Sequence, residues 1–137
     1  MSGYAVDTNI VSFLLRGNRQ LQGRIRQEAN EGDGVVIPHI TYYETKRGLI
    51  ALGASTKLTA FNRLCGLLGV EEMDVKTLDK AADIYAALKS AGRLIEDADI
   101  LIAAFCLAHD HTLITDNTRH FEHIEGLRLV NWVDSGG

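Results

Sequence analysis

Cysteine, proline and long hydrophobic runs are all scarce in this chain, and each scarcity excludes something. Cys65 and Cys106 are the two cysteines and fall outside any Cys-x-x-Cys pattern, which argues against a disulfide framework and against a thiolate zinc site. A reducing cytoplasm is the expected setting. The longest uncharged apolar stretch, Ile100 to His109, is half of what a bilayer span needs, and the N-terminus lacks a basic region followed by a long apolar run. Membrane insertion and secretion are therefore not expected. A P-loop, a dinucleotide-binding glycine motif and a Ser-His-Asp pattern are missing too, so nothing supports nucleoside triphosphate, NAD or acyl chemistry.

What is present is a globular composition, 46% hydrophobic and 23% charged, in 137 residues. That length suits a single domain spanning 1–137 and is too short for two. The net charge of -4 is unevenly divided. Residues 1–66 hold 8 Lys/Arg against 5 Asp/Glu, and residues 67–137 hold 6 against 13. Such a split lets one face attract nucleic acid while another concentrates carboxylates, although an ordinary solvated surface would read the same way.

Tyr4-Ala5-Val6 reads as a short buried strand that runs into a polar corner, Asp7-Thr8-Asn9, and then a helix marked by Ile10, Val11, Phe13, Leu14 and Leu15. Leu21 and Ile25 carry a second helical pattern, studded with Arg19, Arg24 and Arg26 and closed by Gly32-Asp33-Gly34. Val35-Val36-Ile37 predicts a second strand, stopped by the only proline, Pro38. Ile40 to Leu52 is helical, with Ile40, Glu44, Arg47, Gly48 and Ala51 on one side. Leu58, Phe61, Leu64, Cys65 and Leu68 mark the next helix, and the two are expected to form a hairpin. A weak strand signal covers Val70 to Val75, and Leu78 to Ala91 is helical with Ala82, Tyr85, Ala86 and Leu88 inward. Asp97 to Ala108 opens on two acids suited to a helix N-terminus and is then apolar all round, so that it must be buried on most sides. Thr112 to Thr115 and Leu127 to Val130 complete the strands. Short apolar strands alternating with helices imply an α/β fold, a three-layer α/β/α sandwich around a mainly parallel sheet, with sites beyond the carboxyl ends of the strands.

Asp7 and Asp116 each follow directly after a predicted strand, Asp99 begins the buried helix, and Glu44 sits on the inner side of another. Each has an ordinary explanation. Asp7 could cap the following helix, Glu44 could pair with Arg47 or Lys46, Asp99 could be a helix-start acid and Asp116 a turn residue. Taken together, four acids aimed at one crevice would repel one another and raise their own pKa values unless a cation neutralised them. All-oxygen ligation suits Mg2+ or Mn2+, whose use beside phosphodiesters is to activate water and neutralise charge.

The segments Val6-Asp7-Thr8-Asn9, Tyr43-Glu44-Thr45-Lys46-Arg47-Gly48, Asp99-Ile100-Leu101-Ile102-Ala103-Ala104 and Leu113-Ile114-Thr115-Asp116-Asn117-Thr118-Arg119-His120-Phe121 resemble those of the PIN-domain ribonucleases. More narrowly they resemble the VapC toxins of bacterial toxin-antitoxin pairs, down to the closing Gly126-Leu127-Arg128-Leu129-Val130-Asn131-Trp132. The resemblance implies a Mg2+- or Mn2+-dependent endoribonuclease, usually a homodimer, held inactive by a VapB-type antitoxin and directed at structured RNA such as tRNA. It implies Asp7 and Asp99 as principal metal ligands, Glu44 contributing directly or through water, and Asp116 completing the negative pocket or binding a second metal. One departure stands out: relatives commonly read Asn-Asn-Thr-Arg-Glu-Phe where this chain reads Asp116-Asn117-Thr118-Arg119-His120-Phe121. Asp116 could stand in for the displaced acid; His120 could bind metal through water or simply lie exposed, and exposure is the expectation.

The remaining candidates are weaker. His109-x-His111 and His120-x-x-His123 lack a third zinc ligand and read as surface histidines. Thr8 and Asn9 could orient a metal-bound water or Asp7, or merely cap a helix; Asp97 reads as a helix cap. Arg119 could hold a phosphate, while Arg16, Arg19, Arg24, Arg26, Lys46 and Arg47 could steer an RNA backbone. Phosphotransfer enzymes of the Asp-x-Asp-x-Thr type are disfavoured because Asn9 takes the second acidic position, and structure-specific DNA nucleases need further domains. The alternatives that stay open are a non-catalytic PIN-like binding module and a PIN nuclease outside toxin-antitoxin systems.

Overall fold

Five short strands, β1 (Tyr4–Val6), β2 (Val35–Pro38), β3 (Val70–Glu71), β4 (Thr112–Ile114) and β5 (Leu129–Val130), form one sheet in the order β3-β2-β1-β4-β5 in the computed structural model, which describes residues 3–133. Every pairing is parallel. The connections are the helices α1 (Thr8–Leu15), α2 (Arg19–Glu31), α3 (His39–Leu52), α4 (Ser55–Leu68), α5 (Val75–Ser90), α6 (Asp97–His109) and the short α7 (Thr118–Phe121).

Strand alternation sorts the core into two halves, one on each face of the sheet. Ala5 and Leu113 point to the side covered by Ala81, Ile84 and Leu88 of α5 and by the buried run Ile102 to Cys106 of α6. Their neighbours Val6 and Ile114 point the other way, to Ile10, Val11 and Leu14 of α1, Leu21 and Ile25 of α2 and Phe61 of α4. The expected α/β/α sandwich is thus formed. As its all-round apolar sequence requires, α6 is buried along most of its length. Gly53, at φ 65, takes the left-handed conformation that ends α3 and turns the chain into α4, giving the expected hairpin.

Two helical faces differ from expectation. On α5 the buried residues are Thr77, Ala81, Ile84 and Leu88, whereas Ala82, Tyr85 and Ala86 face out. Asp74 sets this phase: its carboxylate accepts from the Thr77 amide (3.0 Å) and hydroxyl (2.8 Å), turning Thr77 inward. On α3 the buried positions are Thr41 and Thr45, while Arg47, Gly48 and Ala51 are exposed. Polar threonines fill the inward positions there, so an apolar periodicity does not mark them. The Val70 to Val75 strand signal shrinks to Val70–Glu71 because Asp74 already caps α5. The last strand begins at Leu129 instead of Leu127, and α7 has no counterpart in the sequence reading.

Candidate functional site

Topology gathers the four acids before any side chain is considered. Val6 pairs with Ile114, so Asp7 and Thr115 leave adjacent parallel strands at the same level, with Asp116 one residue beyond. Helix α3 follows β2 and starts at the same sheet edge; Glu44 lies roughly 8 Å along it. Helix α6 precedes β4 and therefore runs antiparallel to it, which brings its N-terminus, with Asp99 in the first turn, back to that edge. Thr41 fixes α3 to β1, its hydroxyl donating to the Val6 carbonyl at 2.9 Å in full burial. Replacing it, Thr41→Val, leaves that carbonyl unpaired and should cost about 1–3 kcal/mol in urea denaturation, with no change in secondary structure.

Asp7 is 6% exposed. It caps α1, accepting from the Ile10 amide at 2.9 Å, so the capping explanation holds for this side chain, and the same carboxyl lies within electrostatic reach of Asp116 and Asp99. Burial pushes its carboxyl up to about 6, and the negative charges of Asp116 and Asp99 push in the same direction. The Thr115 hydroxyl and the Ile10 amide favour the charged form and offset only part of this. Desolvation, more than mutual repulsion, is therefore the main cause.

Glu44 is engaged by Thr8, whose hydroxyl donates to Oε1 at 2.7 Å, and by Arg47, 3.7 Å from Oε2. Thr8 thus orients Glu44, not Asp7 or a water; the register of α1 against α3 decides this. His120 is not simply exposed: its Nε2 lies 2.8 Å from Asp99 Oδ2, because the short α7 swings the ring over the start of α6. Asp97 is exposed and makes no capping bond; Glu96 occupies the cap position without a side-chain bond. Asn9 is exposed as well. Sequence reasoning missed Thr115, which adjoins Asp7. Its signal was its place level with Asp7 at the ends of two neighbouring strands.

The other candidate histidines find separate partners: His109 approaches Asp74 (3.4 Å), His111 stacks on Phe105 and His123 meets Arg93 (2.9 Å). Among the basic candidates, Arg24 lies over Trp132 and Lys46 donates to the Tyr42 hydroxyl, while Arg16, Arg19, Arg26, Arg47 and Arg119 are exposed.

Among the described residues no three His, Cys, Asp or Glu side chains stand close enough to grip an ion by themselves. Asp7 is turned to its cap, Asp99 to His120 and Glu44 to Thr8. The donor set nevertheless fits a hard cation that keeps several waters. Asp116 Oδ1 is buried without a hydrogen-bond partner, a rarity for a buried polar atom, and Asp116 adds to the negative potential at Asp7.

Residues 4–127 match the PIN domain family. The chain is 32% identical over 133 residues to the VapC ribonuclease Y4jK of Sinorhizobium fredii, covering 92% of this chain and 94% of that one. It is 30% identical over 138 residues to the tRNA(fMet)-specific endonuclease VapC of Shigella flexneri, covering 96% and 99%. Among solved structures, VapBC-1 from nontypeable Haemophilus influenzae superposes with a TM-score of 0.82 at 26% identity, over 94% of this chain and 97% of that one. DNA-bound VapBC from Salmonella typhimurium gives 0.87 at 24%, over 96% and 99%.

Proposed function

The chain belongs to the PIN domain family and within it to the VapC ribonucleases, and on that premise we propose that it is a divalent-metal-dependent endoribonuclease whose site is built by Asp7, Glu44, Asp99 and Asp116. The observation that carries the metal requirement is the unpartnered, buried Asp116 Oδ1 beside a carboxylate whose pKa burial has raised. A bound Mg2+ or Mn2+ supplies a nucleophilic water at neutral pH and neutralises charge gathering on a phosphodiester. Asp7, Asp99 and Asp116 would hold it, with Glu44 contributing directly or through water.

The protein's own groups do the positioning. The Ile10 amide and Thr115 hold Asp7, Thr8 and Arg47 hold Glu44, and the surplus of Lys and Arg in residues 1–66 draws the polyanionic RNA toward an otherwise acidic molecule. Hydrolysis by water, as opposed to attack by the neighbouring 2′-hydroxyl, leaves a 5′-phosphate and a 3′-hydroxyl. The substrate we assign is structured RNA, tRNA first, because a relative at 30% identity is named for cleaving tRNA. The partners are a VapB-type antitoxin, by analogy with the VapBC complexes, and, as the family resemblance implies, a second copy of the chain. Exposed Tyr43 and Leu78, beside Met73 and Leu101, offer an apolar surface for such self-association. No helix among the described residues is long and apolar enough to cross a membrane.

The test is cleavage of tRNA with defined end chemistry. Mg2+ or Mn2+ should support it, EDTA should abolish it and Ca2+, larger and tolerant of other geometries, should fail to replace them. Undiminished cleavage in EDTA ends the metal mechanism. Tight RNA binding without any Mg2+-dependent cleavage would instead favour the non-catalytic module.

A further inference from the structure

We propose that His120 is the positioning residue for Asp99: its Nε2–H fixes one oxygen of that carboxylate and so presents the group to the cation pocket in a single orientation. This rests on the metal-dependent reading above. The contact is short, 2.8 Å, and joins side chains exposed to only 33% and 25%, so the ring is neither a free surface histidine nor a deeply buried one. A carboxylate can only accept, so Nε2 carries the hydrogen and is committed to Asp99. That nitrogen is therefore not available as a ligand, and His120 is placed one step back from the ion, with coordination through Nδ1 as the competing outcome that the experiment detects.

The backbone that carries the ring is held by a chain of bonds that begins at the other principal carboxylate. Thr115 adjoins Asp7 with its hydroxyl and accepts from the Asn117 amide at 3.1 Å. Asn117 caps α7, its Oδ1 accepting from the His120 amide at 3.3 Å. Phe121, 2% exposed, anchors α7 in the core and meets the His120 ring edge-on at 5.1 Å. The β4–α7 turn thus ties Asp7 and Asp99 into one connected frame. Outer partners of this kind orient metal ligands, and their loss typically costs about 10–100-fold in affinity or activity.

The experiment titrates Mn2+ into the full-length chain and follows free and bound ion by electron paramagnetic resonance. His120→Ala should weaken Mn2+ binding about 10–100-fold, with RNA cleavage lost at low Mn2+ and largely recovered at saturating Mn2+. His120→Gln, whose amide can still donate, should regain at least part of the affinity. Spin-echo modulation of the Mn2+-loaded wild type should show no directly coordinated imidazole nitrogen. Equal affinity in wild type and His120→Ala overturns the assignment, as does an imidazole nitrogen on the ion. Equal weakness of the Ala and Gln variants also overturns it, by pointing to packing instead of donation. If the wild type shows no saturable Mn2+ binding, the metal-dependent reading itself fails and takes this inference with it.

Discussion

Asp7→Asn removes RNA cleavage, by at least about 100-fold, and at the same time makes the protein more stable in the absence of divalent cations. The first effect is expected because the proposed function makes Asp7 a central ligand, whose loss should cost no less than the loss of an outer partner. The second follows from linkage. An acid whose folded pKa lies near 6, against 3.8 for an ordinary aspartate side chain in water, holds its proton more tightly in the folded state. Its stability contribution is complete below about pH 3.8, declines as pH rises toward 6, and stays low above that. The deficit at neutral pH is on the order of 3 kcal/mol. Asparagine carries no charge and can still accept from the Ile10 amide, so the variant should lack the decline while keeping the helix cap. Parallel urea titrations between pH 4.5 and 7.5 measure the difference. A variant that loses activity only by unfolding, or one that keeps wild-type cleavage in Mg2+, refutes the assignment of Asp7.

Asp99→Asn should be as severe for cleavage, again at least about 100-fold, whereas Asp97→Asn, two residues earlier on the same helix, should leave activity close to wild type. The contrast is informative because both acids sit in the first turn of α6, where each interacts favourably with the helix dipole. Only Asp99 turns toward the sheet edge and His120; Asp97 is exposed. Dipole loss alone costs about 0.3–1 kcal/mol of stability and no chemistry. Initial cleavage rates of the two variants, normalised to folded protein, decide the matter. An Asp97→Asn enzyme as inactive as Asp99→Asn would show that the site includes the very start of α6 as well as the four acids.

The strands were legible because burial on both faces leaves short apolar runs, and Ala5/Val6 and Leu113/Ile114 then divide between two layers by parity alone. The placement of Asp7 and Asp116 at one sheet edge followed from their positions directly after such runs. Helix phase was less legible wherever threonine replaced an apolar inward residue, because threonine can pack inward like an apolar group but does not read as one: Thr41 donates to the Val6 carbonyl and Thr77 to Asp74, while the Thr45 hydroxyl is buried without a partner among the described residues. The short α7 escaped notice because its four residues are too few to establish a period.

By itself, then, the sequence determined the alternation of strands and helices, the buried α6, and which acids lie at element ends, since periodicity and capping are properties of neighbours along the chain. Which acid meets which partner was decided only in three dimensions. Thr8 reaches Glu44 across 36 residues and His120 reaches Asp99 across 21. Both contacts depend on a sheet order that places β1 between β2 and β4, and on α6 returning antiparallel to β4. Side chains from separate elements meet where the layers bring them together, and no local pattern encodes that meeting.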